Sequence, residues 1–137
     1  MFDLKKNDPA KAAEVGYTFT VVLPDGSETD AKITVRGANS AVVKNYSRRI
    51  YQEFKQREQQ AKRRGREPED LTLEEAEKLS AEAAAVRVIA WEGIAEDGKE
   101  IKFSETEAER IFKEYPFIRE QVMTESDNVF NFRTGRD

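Results

Sequence analysis

The segment from Gly16 to Gly37, GYTFTVVLPDGSETDAKITVRG, limits what this chain can fold into more than any other. Tyr17, Phe19, Val21 and Leu23 alternate with Thr18, Thr20 and Val22. Beyond Pro24-Asp25-Gly26, Ala31, Ile33 and Val35 alternate with Lys32, Thr34 and Arg36. A strand points successive side chains to opposite faces, so a two-residue period on both sides of a turn predicts a β-hairpin with one apolar face. A hairpin alone is marginal in water. The rest of the chain must supply something to cover that face.

Helices are the candidates. Residues 1–15 read as a flexible arm, because Asp8-Pro9 interrupts a regular start. After Gly37, Asn39 or Ser40 can cap a helix, and Val42, Val43, Tyr46, Ile50 and Phe54 then recur at steps of three and four. This stripe is expected to pack on the hairpin. Past Phe54 the sequence KQREQQAKRRGREPED is nearly all polar, with Gly65 and Pro68 as interruptions. Residues 56–71 are therefore predicted as a charged, mobile helix tip and loop.

Thr72 and Glu75 form a capping-box pair for a second helix, which Leu73, Ala76, Leu79, Ala83, Val86 and Ala90 carry toward Gly93. Its alanines leave room for a neighbouring helix to approach closely. Residues 44–66 hold nine Lys or Arg against two Glu, a balance of +7, and residues 67–82 hold seven acids against one Lys, a balance of −6. An antiparallel helical hairpin would set these blocks side by side. Exposed ion pairs contribute only about 0–1 kcal/mol each, so they select orientation more than they hold a fold.

Asp97-Gly98 marks a turn, and a short strand near 100–103, with Ile101 and Phe103 around Lys102, could join the hairpin. Ser104 caps a third helix with Glu107 as its box partner, and Ala108, Ile111, Phe112 and Tyr115 give it an inward face. Pro116 cannot continue that helix but suits the first turn of another, whose stripe is Phe117, Ile118, Gln121 and Val122. The Tyr-Pro hinge is expected to let two short helices pack on different sides of one core. Residues 127–137 form a tail in which Phe130 and Phe132 either fold back or meet another subunit. The fold class is α+β, a single domain over residues 1–137.

Chemistry is scarce. The chain has 137 residues with no cysteine and no histidine, which removes thiol nucleophiles, the usual zinc ligands and the commonest general base. It carries no phosphate loop, dinucleotide fingerprint or nucleophile elbow, so no enzyme activity and no cofactor are expected. Asp97 and Glu100 resemble a fragment of a calcium loop but lack its alternating ligands and distal glutamate, and read as a plain turn. A net charge of −4 argues against nucleic acid as the main partner. The cluster Lys62, Arg63, Arg64 and Arg66 could still bind phosphates, or be a solvated tip offset by the acids beside it. Trp91 reads either as a partner anchor or as a half-buried packing residue. Sequence hydropathy predicts no membrane span and no secretory signal, so a soluble protein of the cytoplasm is expected.

The stretch WEGIAEDGKEIKFSETEAERIFKEYPFIREQV resembles the C-terminal block of tail assembly chaperones of long-tailed bacteriophages. The matching positions are Trp91, Gly93, Ile94, Gly98, Ile101, Phe103, Ser104, Pro116, Ile118, Gln121 and Val122, with Phe130 or Phe132 as the late aromatic. The resemblance implies a non-catalytic protein that coats the long, largely helical tape measure protein and helps recruit tail tube subunits. It also implies residence in the host bacterial cytoplasm and absence from the mature virion. Self-association through the hairpin's free edge or the long helices is a further expectation. Partner contacts are then sought at Trp91, Tyr115, Phe117, Phe130 and Phe132, and at Arg63 and Arg64 on the basic tip. The rival readings are a structural minor tail or tail-completion protein, and a small nucleic-acid-binding regulator using the 62–66 cluster.

Overall fold

The predicted hairpin forms in the computed structural model, which describes residues 1–133. Strands β1 (Tyr17–Val22) and β2 (Glu28–Val35) pair antiparallel, with Phe19 opposite Ile33. The Asp25 carboxylate accepts hydrogen bonds from the Ser27 N–H and hydroxyl, and Gly26 takes a φ of 89° to close the turn. Phe19, Val21, Ala31, Ile33 and Val35 are buried, so the alternation reports the face correctly.

The sheet has a third strand, in a place the sequence reading assigned to helix. Helix α3 (Leu73–Ala85) starts at the Thr72–Glu75 capping box as expected but stops at Ala85, well short of Gly93. Strand β3 (Val88–Glu92) follows and pairs with β2, giving the order β1-β2-β3 with Trp91 opposite Ile33. Val86 and Ala90 continue a helical spacing, but Val88, Ile89 and Trp91 favour extended backbone, and the second edge of β2 offers ladder hydrogen bonds that an isolated helix end does not. The strand sought near 100–103 is correspondingly corrected. β5 (Lys99–Glu100) pairs with β4 (Ala95–Glu96) in a separate two-stranded ribbon around Asp97-Gly98, both at positive φ, the turn geometry a tight hairpin favours.

Helices α4 (Glu105–Glu114) and α5 (Pro116–Asp127) meet at the hinge. Ser104 Oγ accepts from the Glu107 N–H at 3.1 Å, and Tyr115 leaves helical geometry with φ −126° and ψ 75°. Pro116 then opens α5 at a position where its missing N–H costs no bond. α4 packs on α3, while α5 packs on β1 and β2. The hinge thus sends its two helices to different sides of one core, which gathers Ile33, Val35, Ala84, Ile111, Phe112 and Val122.

The alanines of α3 admit a close neighbour, and that neighbour is α4: Ala81, Ala84 and Ala85 are buried with Ala108. Helix α2 (Ala41–Arg63), which the stripe at Val42, Val43, Tyr46, Ile50 and Phe54 predicted as the hairpin's cover, stands outside this core cluster. The helix runs past Phe54 to Arg63, and residues 64–72 connect it to α3.

Both ends carry structure. Within the predicted arm, Asp8 caps helix α1 (Pro9–Ala13) and Pro9 takes its first position, so the dipeptide read as an interruption is a helix start. Ala13 packs so tightly on Gly37 that a Cβ on the glycine would lie 2.7 Å from the alanine Cβ. A 3-10 turn, Val129–Phe132, folds Phe132 back into the core against Tyr17, ring centroids 6.2 Å apart. Positions 134–137 of the predicted tail lie outside the described residues.

Candidate interaction surface

α2 begins where Ser40, itself buried, accepts the Val43 N–H through its hydroxyl. Of its 23 residues only Val43 is buried. The three-four spacing continues past it as Tyr46, Ile50 and Phe54, so an apolar stripe runs along the helix with no core beneath it. Phe54 is 39% exposed and the adjacent Tyr51 63%. A cation covers each aromatic ring: Arg49 lies 5.3 Å from the Tyr46 centroid, Lys55 5.6 Å from Tyr51 and Arg57 5.9 Å from Phe54. Such contacts are worth about 0.5–1 kcal/mol at exposed sites, and they hold charge beside apolar surface that water would otherwise face.

Opposite the stripe lies α3, and the two helices bound a groove of about 230 Å³. Ile50, Phe54, Leu71 and Leu79 give it an apolar lining, and Glu53, Arg57, Glu75, Lys78 and Glu82 surround it with charge. Arg57 and Glu75 stand 3.8 Å apart near its outer end. Tyr46 sits by Glu82 at the inner end. These two contacts make α2 and α3 antiparallel, the orientation the opposed charge blocks predicted.

At the inner end Glu82 and Glu109 meet Tyr46, with the cations Arg49 and Lys78 beside them. Burial, reinforced by Glu82, pushes the Tyr46 hydroxyl up to about 12. Burial, then the carboxylates of Glu82 and Glu105, raises Glu109 above the ordinary glutamate range, against a weaker opposing effect of Lys78. At the outer end bases and acids mix, Arg64 and Arg66 standing with Glu67 and Glu69. Lys62 pairs with Glu58 at 3.6 Å, whereas Arg63, Arg64 and Arg66 close no ion pair among the described residues. Among the described residues no group of three or more acids is placed to hold a metal ion, and no helix is long and apolar enough to cross a membrane.

The residues singled out in the sequence are scattered over the molecule. Trp91 is half-buried: its Nε1 donates to the Ile101 carbonyl at 2.8 Å, and its ring stands edge-on to Phe103 and Phe112. Phe132 is buried and Phe117 half-buried against the core. Tyr115 is at the surface, its hydroxyl donating to Glu96, which also binds Arg110. Phe130 is 66% exposed, with Arg133 over its ring. Arg63 and Arg64 end α2, far in sequence from all five. The structure does not gather these seven into one patch. Ile50, Phe54, Leu71 and Leu79, which do line one groove, were not singled out as contacts. The signal was the α2 stripe itself, which periodicity marks as apolar without saying what it faces.

Positions of the resembling block have identifiable packing roles. Gly93 has φ 76°, and a Cβ there would meet the Asp30 carbonyl oxygen at 2.6 Å. Gln121 accepts from the Val22 N–H and donates to the Val22 carbonyl, both at 2.9 Å, so its amide occupies a position on the outer edge of β1. Ile94, Gly98, Ser104 and Pro116 form core, turn, cap and hinge.

Fold and surface together define a small α+β protein: a three-stranded sheet covered by helices, with one long amphipathic helix left outside the core. The model of the family described as YdaY prophage protein matches residues 28–137. The chain belongs to that family and is of phage origin. No curated protein and no solved structure matches it.

Proposed function

We propose that this protein is a non-catalytic assembly chaperone acting in phage tail morphogenesis, holding a helical segment of the tape measure protein by reversible contacts. The observation that carries the reading is the outer part of the α2 stripe, half-buried Ile50 and exposed Phe54, which lines a groove against α3 outside the core cluster. An amphipathic helix docks in such a groove by placing side chains at three-four spacing on its lining, so a largely helical client presents matching chemistry. The charged rim and the cations over the aromatics keep the apolar surface soluble while it is empty. Membership of a prophage family supplies the phage context, and the resemblance of residues 91–122 to tail assembly chaperones supplies the tail.

Co-expression with the tape measure protein of the same prophage tests this. The client should be soluble only with the chain present, and Phe54→Glu should abolish the effect while leaving the chaperone folded. A client that stays insoluble with the unaltered chain, or is rescued equally by Phe54→Glu, refutes the proposal. Mass spectrometry of purified particles separates it from a structural tail component, which would be present at fixed copy number.

A further inference from the structure

We infer that the outward face of α2, turned away from the apolar stripe, binds duplex DNA through its phosphates. This is the side of the helix opposite the groove, and the inference stands apart from the chaperone reading.

With about 3.6 residues per turn, the side of α2 opposite Ile50 and Phe54 carries Lys44, Arg48, Arg49, Lys55, Lys62 and Arg63. Between them stand the amides of Asn45, Gln52, Gln56 and Gln59, and all ten residues are exposed. The two acids of the helix fall on its flanks. Glu53 lines the groove, and Glu58 lies 3.7 Å from Lys55 and 3.6 Å from Lys62. Lys44, Arg48, Arg49 and Arg63 close no ion pair among the described residues. From Lys44 to Arg63 the basic face is roughly 28 Å long at 1.5 Å per residue.

The net charge of −4 does not act at this face. Glu75 and Glu82 of α3 line the groove, behind α2. A helix with its side chains is about 10–12 Å across, and the screening length in physiological salt is about 8 Å, so a ligand on the outward face meets the cations alone.

The chemistry of the face selects the ligand. Exposed ion pairs with an acidic protein contribute little, and no apolar anchor is there to add to them. The nearest aromatic, Tyr51, lies on the flank with Lys55 over its ring. Duplex nucleic acid carries a charge about every 1.7 Å of its axis, and each phosphate neutralised releases a condensed counterion. Lys44, Lys55 and Lys62 form one rim of the face and Arg49 and Arg63 the other, with Gln52 and Gln59 between. That layout suits two phosphate strands flanking base edges, to which amides bond. The major groove of B-form DNA, about 12 Å wide, admits a helix, whereas that of duplex RNA is too deep and narrow for side chains to read. Single strands are held on aromatic platforms, which this convex face lacks.

Fluorescence anisotropy of a labelled random-sequence DNA duplex with the full chain tests the inference. Six phosphate contacts predict that log affinity falls against log salt with a slope of about −5, at about 0.9 per contact. Lys44→Ala, Arg48→Ala and Arg63→Ala together should make the slope shallower by about three and weaken binding more than about tenfold, with circular dichroism unchanged. Arg64→Ala with Arg66→Ala, at positions that stand among Glu67 and Glu69, should leave the slope unchanged. Four results would each overturn it: no binding at low salt, a slope indifferent to the triple variant, binding lost in the Arg64 and Arg66 variant instead, or equal affinity for duplex RNA, a single strand or polyglutamate.

Discussion

Gly93 shows how much one missing Cβ can matter. Its φ of 76° is left-handed, and its α-carbon passes so close to β2 that an added Cβ would meet the Asp30 carbonyl oxygen at 2.6 Å. Gly93→Ala should therefore cost on the order of 2–3 kcal/mol, read as a lower urea midpoint at constant slope. A loss under about 0.5 kcal/mol, the size of an ordinary surface substitution, would contradict the strain argument. Glu109 makes the opposite kind of prediction. Burial and two neighbouring carboxylates raise its pKa, so the folded state holds its proton more tightly than the unfolded chain does. Stability from this group is present at low pH and is lost as pH rises through the raised value. Glu109→Gln should gain roughly 0.2–0.5 kcal/mol at pH 7, the scale of a relieved like-charge pair one helical turn apart. It should gain nothing at pH 3. Melting curves at the two pH values decide, and a gain that persists at pH 3 would exclude the carboxylate as its source.

At the scale of elements, the hinge helix α5 and the free helix α2 are opposites. Gln121 on α5 satisfies both backbone groups of Val22 at the edge of β1, and Val122 beside it is fully buried. Gln121→Ala leaves a part-buried N–H and carbonyl without partners, an expected loss of about 1–3 kcal/mol. Replacement by Glu keeps an acceptor for the N–H but no donor for the carbonyl, and should fall between the two in chemical denaturation. Phe112 on α4 lies fully inside the core, and Phe112→Ala should cost about 3–5 kcal/mol. Phe54→Ala on α2 removes a side chain of equal size and should cost under about 1 kcal/mol, because no core closes around it. Periodicity identifies both phenylalanines as apolar-face residues. It cannot rank them, since a stripe shows that a face is apolar and not whether the same chain covers it.

For the whole molecule, the division between a packed body and an open helix should appear in hydrogen exchange. Amides of β2 and α4 should exchange only through global unfolding, and those of α2 beyond Ile50 through local opening at much lower free energy. The sequence by itself determined what adjacent residues decide among themselves. The hairpin about Pro24-Asp25-Gly26, the caps at Ser40, Thr72 and Ser104, and the break at Tyr115-Pro116 all depend on local sterics and hydrogen bonds. Tertiary structure decided which apolar faces met. Residues 86–92 carry a spacing that suits a helix and residue types that suit a strand, and the unpaired edge of β2 drew them into the sheet. The alanines of α3 took α4 rather than α2, which left the longest helix of the described residues outside the core cluster. Local bonds are made within a few residues and can be read there. Competition among faces for one core is settled only when every element is present at once.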